Sequence, residues 1–388
     1  MKKTLAALAV LGAFAGSAMA ADVTLYGALD TGFEYIHTKN PGEKAVDTFD
    51  MQTGWDTGNR WGLKGSEDLG NGYKVSFKLE SGFNGDDGTM GQGSRLFGRE
   101  AGLTLSGPFG SIAFGRFGGI SSSCGTYDML GYVESFDGGD GNVWGFAASD
   151  RYDNMVVYQT PRFAGLQLTA QYSFKTDSKA SAKYNSAGDP EYSGDEGTSH
   201  AQRYASVGLS GEYGPASFAV GYELTKYGVN EQQTATGAGL GRELDKDGQL
   251  VFLGGNYDFE VVQLFVEGQY FKHQTAIAGF GDAFEGAIGD AFEGAIGDVK
   301  GYGLHLGAAA PLGAGTLTAG LYYTDATDEQ IEDKDVDFKY YGASARYNYP
   351  LSERTGVYAG AGYGQVKNDD SGDKTKVTQV YCGLVHTF

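Results

Sequence analysis

Residues 117–150 read FGGISSSCGTYDMLGYVESFDGGDGNVWGFAASD. The stretch begins where the strand-like run Ser111-Ile112-Ala113-Phe114-Gly115 stops alternating. It ends where Asn154-Met155-Val156-Val157-Tyr158 begins a new one. A connection this long inside a folded domain is usually functional or disordered. Phe117, Tyr127, Met129, Leu130, Tyr132, Phe136, Trp144 and Phe146 give it too many apolar anchors for a disordered linker. It reads as a loop that packs into something large and concave.

The flanking sequence says what that object is. From Asp22 onward the dominant period is two, the mark of strands with one apolar face. Leu166, Leu168, Ala170, Tyr172 and Phe174 alternate with Gln167, Thr169, Gln171 and Ser173; Leu317, Ala319, Leu321 and Tyr323 alternate with Thr316, Thr318, Gly320 and Tyr322. Sixteen such runs lie near 22–37, 57–66, 72–83, 95–106, 110–116, 151–160, 166–175, 202–212, 216–226, 249–258, 261–272, 300–309, 315–324, 338–348, 355–366 and 376–388. Short connections alternate with long ones at 38–56, 84–94, 117–150, 176–201, 227–248, 273–299, 325–337 and 367–375. An even strand number, short turns on one side and long loops on the other are the plan of a membrane β-barrel. Proline agrees, because it cannot donate to a strand ladder. Pro41, Pro108, Pro161, Pro190, Pro215, Pro311 and Pro350 all fall in connections. The predicted fold is all-β: a 16-stranded antiparallel transmembrane β-barrel with its third long loop folded inward.

Composition fits. The chain carries 64 Gly, 26 Tyr and 23 Phe but only two Cys. Residues 1–20 have a basic start at Lys2 and Lys3, an apolar core too short to span, and Ala18-Met19-Ala20 as a small-x-small site. They read as a cleaved export signal, leaving 21–388 as a single barrel domain. Losing Lys2 and Lys3 takes the formal charge from −20 to −22, which excludes non-specific nucleic-acid binding. Strand parity sets Cys382 on the lipid side and Cys124 lies in the long loop, so both are expected to be free thiols. The tandem GDAFEGAI at 281–288 and 289–296 reads as a duplication in a tolerant surface loop. The acidic connection 325–337 reads as solvated, with no fixed ligand spacing for a metal.

Four segments carry a resemblance. ADVTLYGALDTGFEY at 21–35, NRWGLKGSEDLGNGYKVSFKLESGF at 59–83, RLFGREAGLTLSGPFGSIAFGR at 95–116 and DNMVVYQTPRFAGLQLTAQYSF at 153–174 resemble the Gram-negative general porins. They are most similar to the trimeric outer-membrane porins of betaproteobacteria. The resemblance implies a homotrimer in the outer membrane, contact with lipid and lipopolysaccharide, and loop 117–150 as a constriction inside the lumen.

A barrel of this size is too wide to fill with its own side chains and leaves an aqueous lumen. Selectivity then rests on width and on charge at the narrowest point. The loop offers Asp128, Glu134, Asp137 and Asp140. The wall offers Arg60, which shares a face with Gly62 and Lys64, along with Lys78, Glu80 and Arg151. The resemblance places Arg60, Arg99 and Arg151 in a basic cluster with Glu80 beside it. Parity counted back from Leu105 instead puts Arg99 outward and Glu100 inward, and a bulge near Gly98 would reconcile the two. Arg116 shares a face with Ile112 and Phe114, so it points outward. It is read as a subunit-interface residue, pairing with Asp86 or Asp87 of a neighbour, or as an arginine that snorkels to the membrane interface.

These readings predict a passive diffusion channel for small hydrophilic solutes and ions. A substrate-specific channel or an adhesin-type barrel is the alternative. An enzyme is not expected: His37, His200, His273, His305 and His386 are scattered, with no nucleophile and base grouped. No catalytic residue, metal or cofactor is assigned. The acidic loops should enrich cations at the mouth while the arginines oppose them, giving a weak cation preference.

Overall fold

The computed structural model describes residues 23–179, 196–198, 201–227, 246–274, 298–329 and 335–388. The expected export signal, the GDAFEGAI duplication and residues 330–334 of the acidic connection lie outside them. Among the described residues the strands are β1 Thr24–Lys39, β2 Val46–Thr53, β3 Arg60–Gly70, β4 Tyr73–Gly82, β5 Glu100–Gly107, β6 Gly110–Gly118, β7 Arg151–Gln159, β8 Leu166–Ser173 and β9 Arg203–Tyr213. They continue as β10 Ala216–Lys226, β11 Gly248–Asp258, β12 Gln263–Gln274, β13 Val299–Leu312, β14 Gly315–Asp328, β15 Val336–Pro350, β16 Thr355–Asn368 and β17 Lys374–Thr387.

The segment absent from the sequence reading is β2, which lies inside the connection expected at 38–56. It pairs with the upper half of β1, Thr31↔Thr53 to Thr38↔Val46, while β3 pairs with the lower half, Thr24↔Lys64 to Ala28↔Arg60. The two therefore occupy one position in the wall, interrupted at 54–59, and the barrel has sixteen antiparallel strands. β1 also pairs with β17 from Ala28↔Thr387 to Lys39↔Lys376 and closes the sheet. Closure satisfies every strand's backbone groups inside the membrane, where no water can. Gly27 and Phe388 exchange two backbone hydrogen bonds at the seam, and only the absence of a Gly27 Cβ leaves space for the Phe388 ring.

Tight turns fix the register. Gly70 and Tyr73 face each other across Asn71-Gly72, with φ of 55° and 80°. Asn and Gly tolerate this left-handed region, which matches the twist of a hairpin. Outward positions carry Leu25, Leu29, Leu103, Leu253, Leu304 and Leu321, all exposed as a lipid-facing band requires. Exposed Tyr213, Tyr257, Phe259 and Tyr349 mark the short-turn rim, and Tyr222, Tyr270, Tyr302 and Tyr363 the long-loop rim.

The barrel's main core is not between strands. Ile120, Met129, Leu130, Val133, Val143, Trp144, Phe146 and Ala147 of the long loop pack against Phe252, Phe271, Tyr322, Phe338 and Tyr340 of the wall. Each such side chain withdrawn from water contributes roughly 1.5–3 kcal/mol. The wall makes room with glycine: a Cβ on Gly208 would strike Met129, one on Gly303 would strike Phe146, and one on Gly342 or Gly362 would strike Val143.

Candidate pore constriction

The long loop leaves β6 and lies against the inner wall formed by β9 to β17. Its backbone is held at intervals by wall side chains. Ser121 N–H donates to Glu223 at 2.9 Å, Ala147 N–H to Gln269 at 2.8 Å and Asn142 N–H to Gln379 at 2.9 Å. Thr324 donates to Gly145 O at 2.5 Å, and Ser135 to Ala319 O at 2.8 Å. A loop has no ladder of its own, so these donors and acceptors stand in for one.

The opposite wall, β3 to β5, carries the charges. Glu80 sits across from Gly62 on one side and Glu100 on the other. Lys78 Nζ lies 2.7 Å from Glu100 and 3.5 Å from Glu80, and Arg99 Nε lies 2.8 Å from Glu80. Tyr26 Oη donates to Glu80 at 2.8 Å, and Thr126 at the start of the loop donates to Glu100 at 2.6 Å. Glu80 and Glu100 are only 4% and 2% exposed, so the cations above them are what the lumen meets. Arg60 and Lys64 extend the basic surface; Lys64 Nζ lies 5.1 Å from the centre of the Tyr26 ring. Arg99 is within electrostatic range of both Arg60 and Arg151.

Arg99 and Glu100 both reach this cluster, so the conflict between parity and resemblance dissolves. The strand begins at Glu100, and Arg99 precedes it, where alternation does not apply. Glu100, Lys64, Tyr26 and Thr126 are absent from the sequence-based set, although inward parity already marked Glu100 and Lys64. Arg151 is the first residue of β7 and borders a cavity of about 670 Å³ with Ser149, Asp150, Glu223 and Tyr227. Its neighbour Tyr152 faces the loop and packs on Tyr204 at 4.4 Å, not outward as alternation from Val156 suggests. The bulge at Asn154, with φ of 51°, inserts a residue and flips the face.

The four loop carboxylates divide. Asp137 is exposed and Asp128 half-buried beside it, with Asp128 accepting from Ser123 N–H at 3.0 Å. Burial, and then the charge of Asp137, hold the Asp128 carboxyl well above its usual range. Asp140 is fully buried: it accepts from Tyr381 and lies 3.4 Å from Arg346, which also pairs with Asp56 at 3.2 Å and covers the Phe136 ring. Glu134, 2% exposed, accepts from Trp144 Nε1 at 3.0 Å and Gly138 N–H at 3.1 Å. Asp140 and Glu134 therefore anchor the loop and do not face the opening. Sequence alone could not separate the two kinds, because the loop has no period from which a face can be read.

Arg116 is held within its own chain. Its Nη1 lies 2.7 Å from Asp153 of its own chain and 3.2 Å from Arg151 O, and its Nε donates to Gly98 O at 2.7 Å. Arg95 Nη1 takes the other Asp153 oxygen at 3.1 Å. The bulge at Asn154 turns Asp153 toward Arg116. Cys124, half-buried in the loop, and Cys382, exposed on the outside, are both free.

The sequence profile of Gram-negative porins matches residues 6–371. The chain belongs to the Gram-negative porin family. It is 34% identical over 415 residues to an outer membrane porin protein of Bordetella pertussis, covering the whole of both chains. An anion-selective porin from Comamonas acidovorans shares the structure with a TM-score of 0.65 at 25% identity, over 95% of this chain and all of that one. The trimer form of OmpT, a Vibrio cholerae outer membrane protein, shares the fold with a TM-score of 0.54 at 15% identity, over 95% of this chain and all of that one. The porin is thus an outer-membrane channel and not an enzyme.

Proposed function

We propose that this porin is a passive diffusion channel for small hydrophilic solutes and ions, narrowed by loop 117–150 against the basic wall of β3 to β5. The observation that carries the reading is the docking of the loop. Its apolar side is buried along β9 to β17, and on this reading the path runs between its Asp128–Asp137 edge and the cluster of Arg60, Lys64, Lys78, Arg99 and Arg151. Opposed charges across a water-filled gap with low-dielectric walls set up a field that orients dipolar solutes.

The burial of Glu134 and Asp140 changes the expected preference. With two loop carboxylates removed from the lumen, and Glu80 and Glu100 beneath their cations, the narrow region is net positive and favours anions. The anion-selective Comamonas porin is consistent with that sign. The channel assembles as a homotrimer surrounded by lipid and lipopolysaccharide, as the trimer form of the related fold supports. Single-channel recording across a salt gradient tests the reading. A reversal potential on the cation side would refute the anion preference, and an absence of conductance would refute the channel.

A further inference from the structure

Glu134 has a partner that the constriction itself does not explain. Glu267, on the inward face of β12, is 0% exposed, and among the described residues no cation pairs with its carboxyl group. Ser135, next to the buried Glu134 on the loop, donates its N–H to His305, which stands directly across from Glu267, so the loop sets the Glu134 carboxyl against that of Glu267. Two ionised carboxylates in contact without water or a cation are strongly disfavoured, since each loses its hydration and repels the other. A single proton resolves the arrangement: one carboxyl donates to the other.

The neighbouring groups offer no compensating positive charge. From the loop, Trp144 Nε1 and Gly138 N–H donate to Glu134 only, and Asp137 adds a further negative charge. On β12, Gln269 accepts the Ala147 N–H of the loop through Oε1 and lends Glu267 a hydrogen bond, but a neutral amide does not cancel the repulsion between two anions. On β13, His305 stands directly across from Glu267, but both ring nitrogens are engaged. Its Nδ1 lies 3.1 Å from Leu321 O and must donate, and its Nε2 accepts from Ser135 N–H at 3.2 Å. The imidazole is therefore neutral and has no proton for Glu267. On β14 the buried Tyr322 hydroxyl has no partner within hydrogen-bond distance.

We propose that Glu134 and Glu267 form a buried proton-binding site, holding one proton between them, and that this shared proton latches the middle of the constriction loop to β12. Loss of the proton to bulk base leaves two anions in contact under the loop, and segment 130–138 then lifts from the wall into the lumen. Burial next to a second carboxyl holds Glu134 above its usual range, so the latch is complete at low pH and weakens as pH rises. The proposal rests on the channel reading only for its electrical readout.

The test compares the wild-type porin with E267Q and E134Q, in which the amide N–H donates permanently to the remaining carboxylate. Infrared difference spectra of the folded protein in detergent should show a protonated buried carboxyl in the wild type that is absent from both variants. In bilayers, raising the pH from about 5 to about 9 should raise open-channel current noise several-fold in the wild type and leave E267Q quiet. Identical noise in wild type and E267Q across that range, or the same carboxyl band in all three proteins, would overturn the proposal. A carboxyl band that differs as expected in a protein without conductance would support the site while refuting the channel.

Discussion

Arg60, Lys64 and Arg151 differ from their basic neighbours in one respect. Lys78 and Arg99 each pair with a carboxylate, whereas Arg60, Lys64 and Arg151 make no ion pair among the described residues. Replacing Arg60 and Arg151 by Ala therefore removes two charges without uncovering Glu80 or Glu100. Around the opening, Arg60, Lys64, Lys78, Arg99 and Arg151 face Glu80, Glu100, Asp128 and Asp137. The double variant turns that excess of one cation into a deficit of one. A unit charge about 6 Å from a passing ion is worth about 1 kcal/mol at an effective dielectric of about 60, and screening at physiological salt leaves about half. Anion and cation feel the change with opposite sign. Two charges then shift the anion-to-cation permeability ratio by about 2 kcal/mol, or about 30-fold. Reversal potentials in single-channel recordings across a salt gradient read this directly, and the shift should fall with ionic strength. If the double variant keeps the wild-type reversal potential and conductance, these arginines do not line the path and the assignment of the opening is wrong.

Asp153→Ala leaves Arg95 and Arg116 facing each other without their shared carboxylate, which should cost about 3 kcal/mol; a lowered urea midpoint for the folded barrel on gels checks it, and an unchanged midpoint contradicts the pairing. Phe146→Ala empties a site sealed by Tyr322 at 5.7 Å and should cost about 3–5 kcal/mol of loop docking, seen as faster protease cleavage within 117–150; wild-type cleavage rates would argue against that core. Negatively charged thiol reagents should modify Cys124, which lies by Arg99 and Arg151, faster than positively charged ones and reduce conductance; equal rates for both would contradict a net positive opening.

Much of this molecule is legible in the sequence because a membrane barrel is written in a period of two. Leu166 to Phe174 and Leu317 to Tyr323 announce their outward faces, and the prolines mark the connections. The reading weakens wherever alternation breaks. β2 escaped because VDTFDMQT brings only Phe49 and Met51 together on one face, between Asp47 and Thr53, too short an alternation to stand out within a connection. Alternation counted back from Val156 would set Tyr152 outside, but the extra residue at Asn154 turns it inward onto Tyr204. Arg99 lay outside the strand from which its direction was counted.

The sequence by itself determined the barrel, its strand number, the inward loop and the basic residues of β3 and β4, since these follow from local alternation and connection length. Only the tertiary structure decided which loop carboxylates meet water. Asp137 is exposed and Asp128 half-buried while Glu134 and Asp140 are buried, and Arg116 finds Asp153 within its own chain. An irregular loop has no repeating geometry to orient its side chains. Their directions come from the glycines, tyrosines and glutamates of β9 to β17, between about 50 and 260 residues further along the chain, and those come into contact only when the barrel closes.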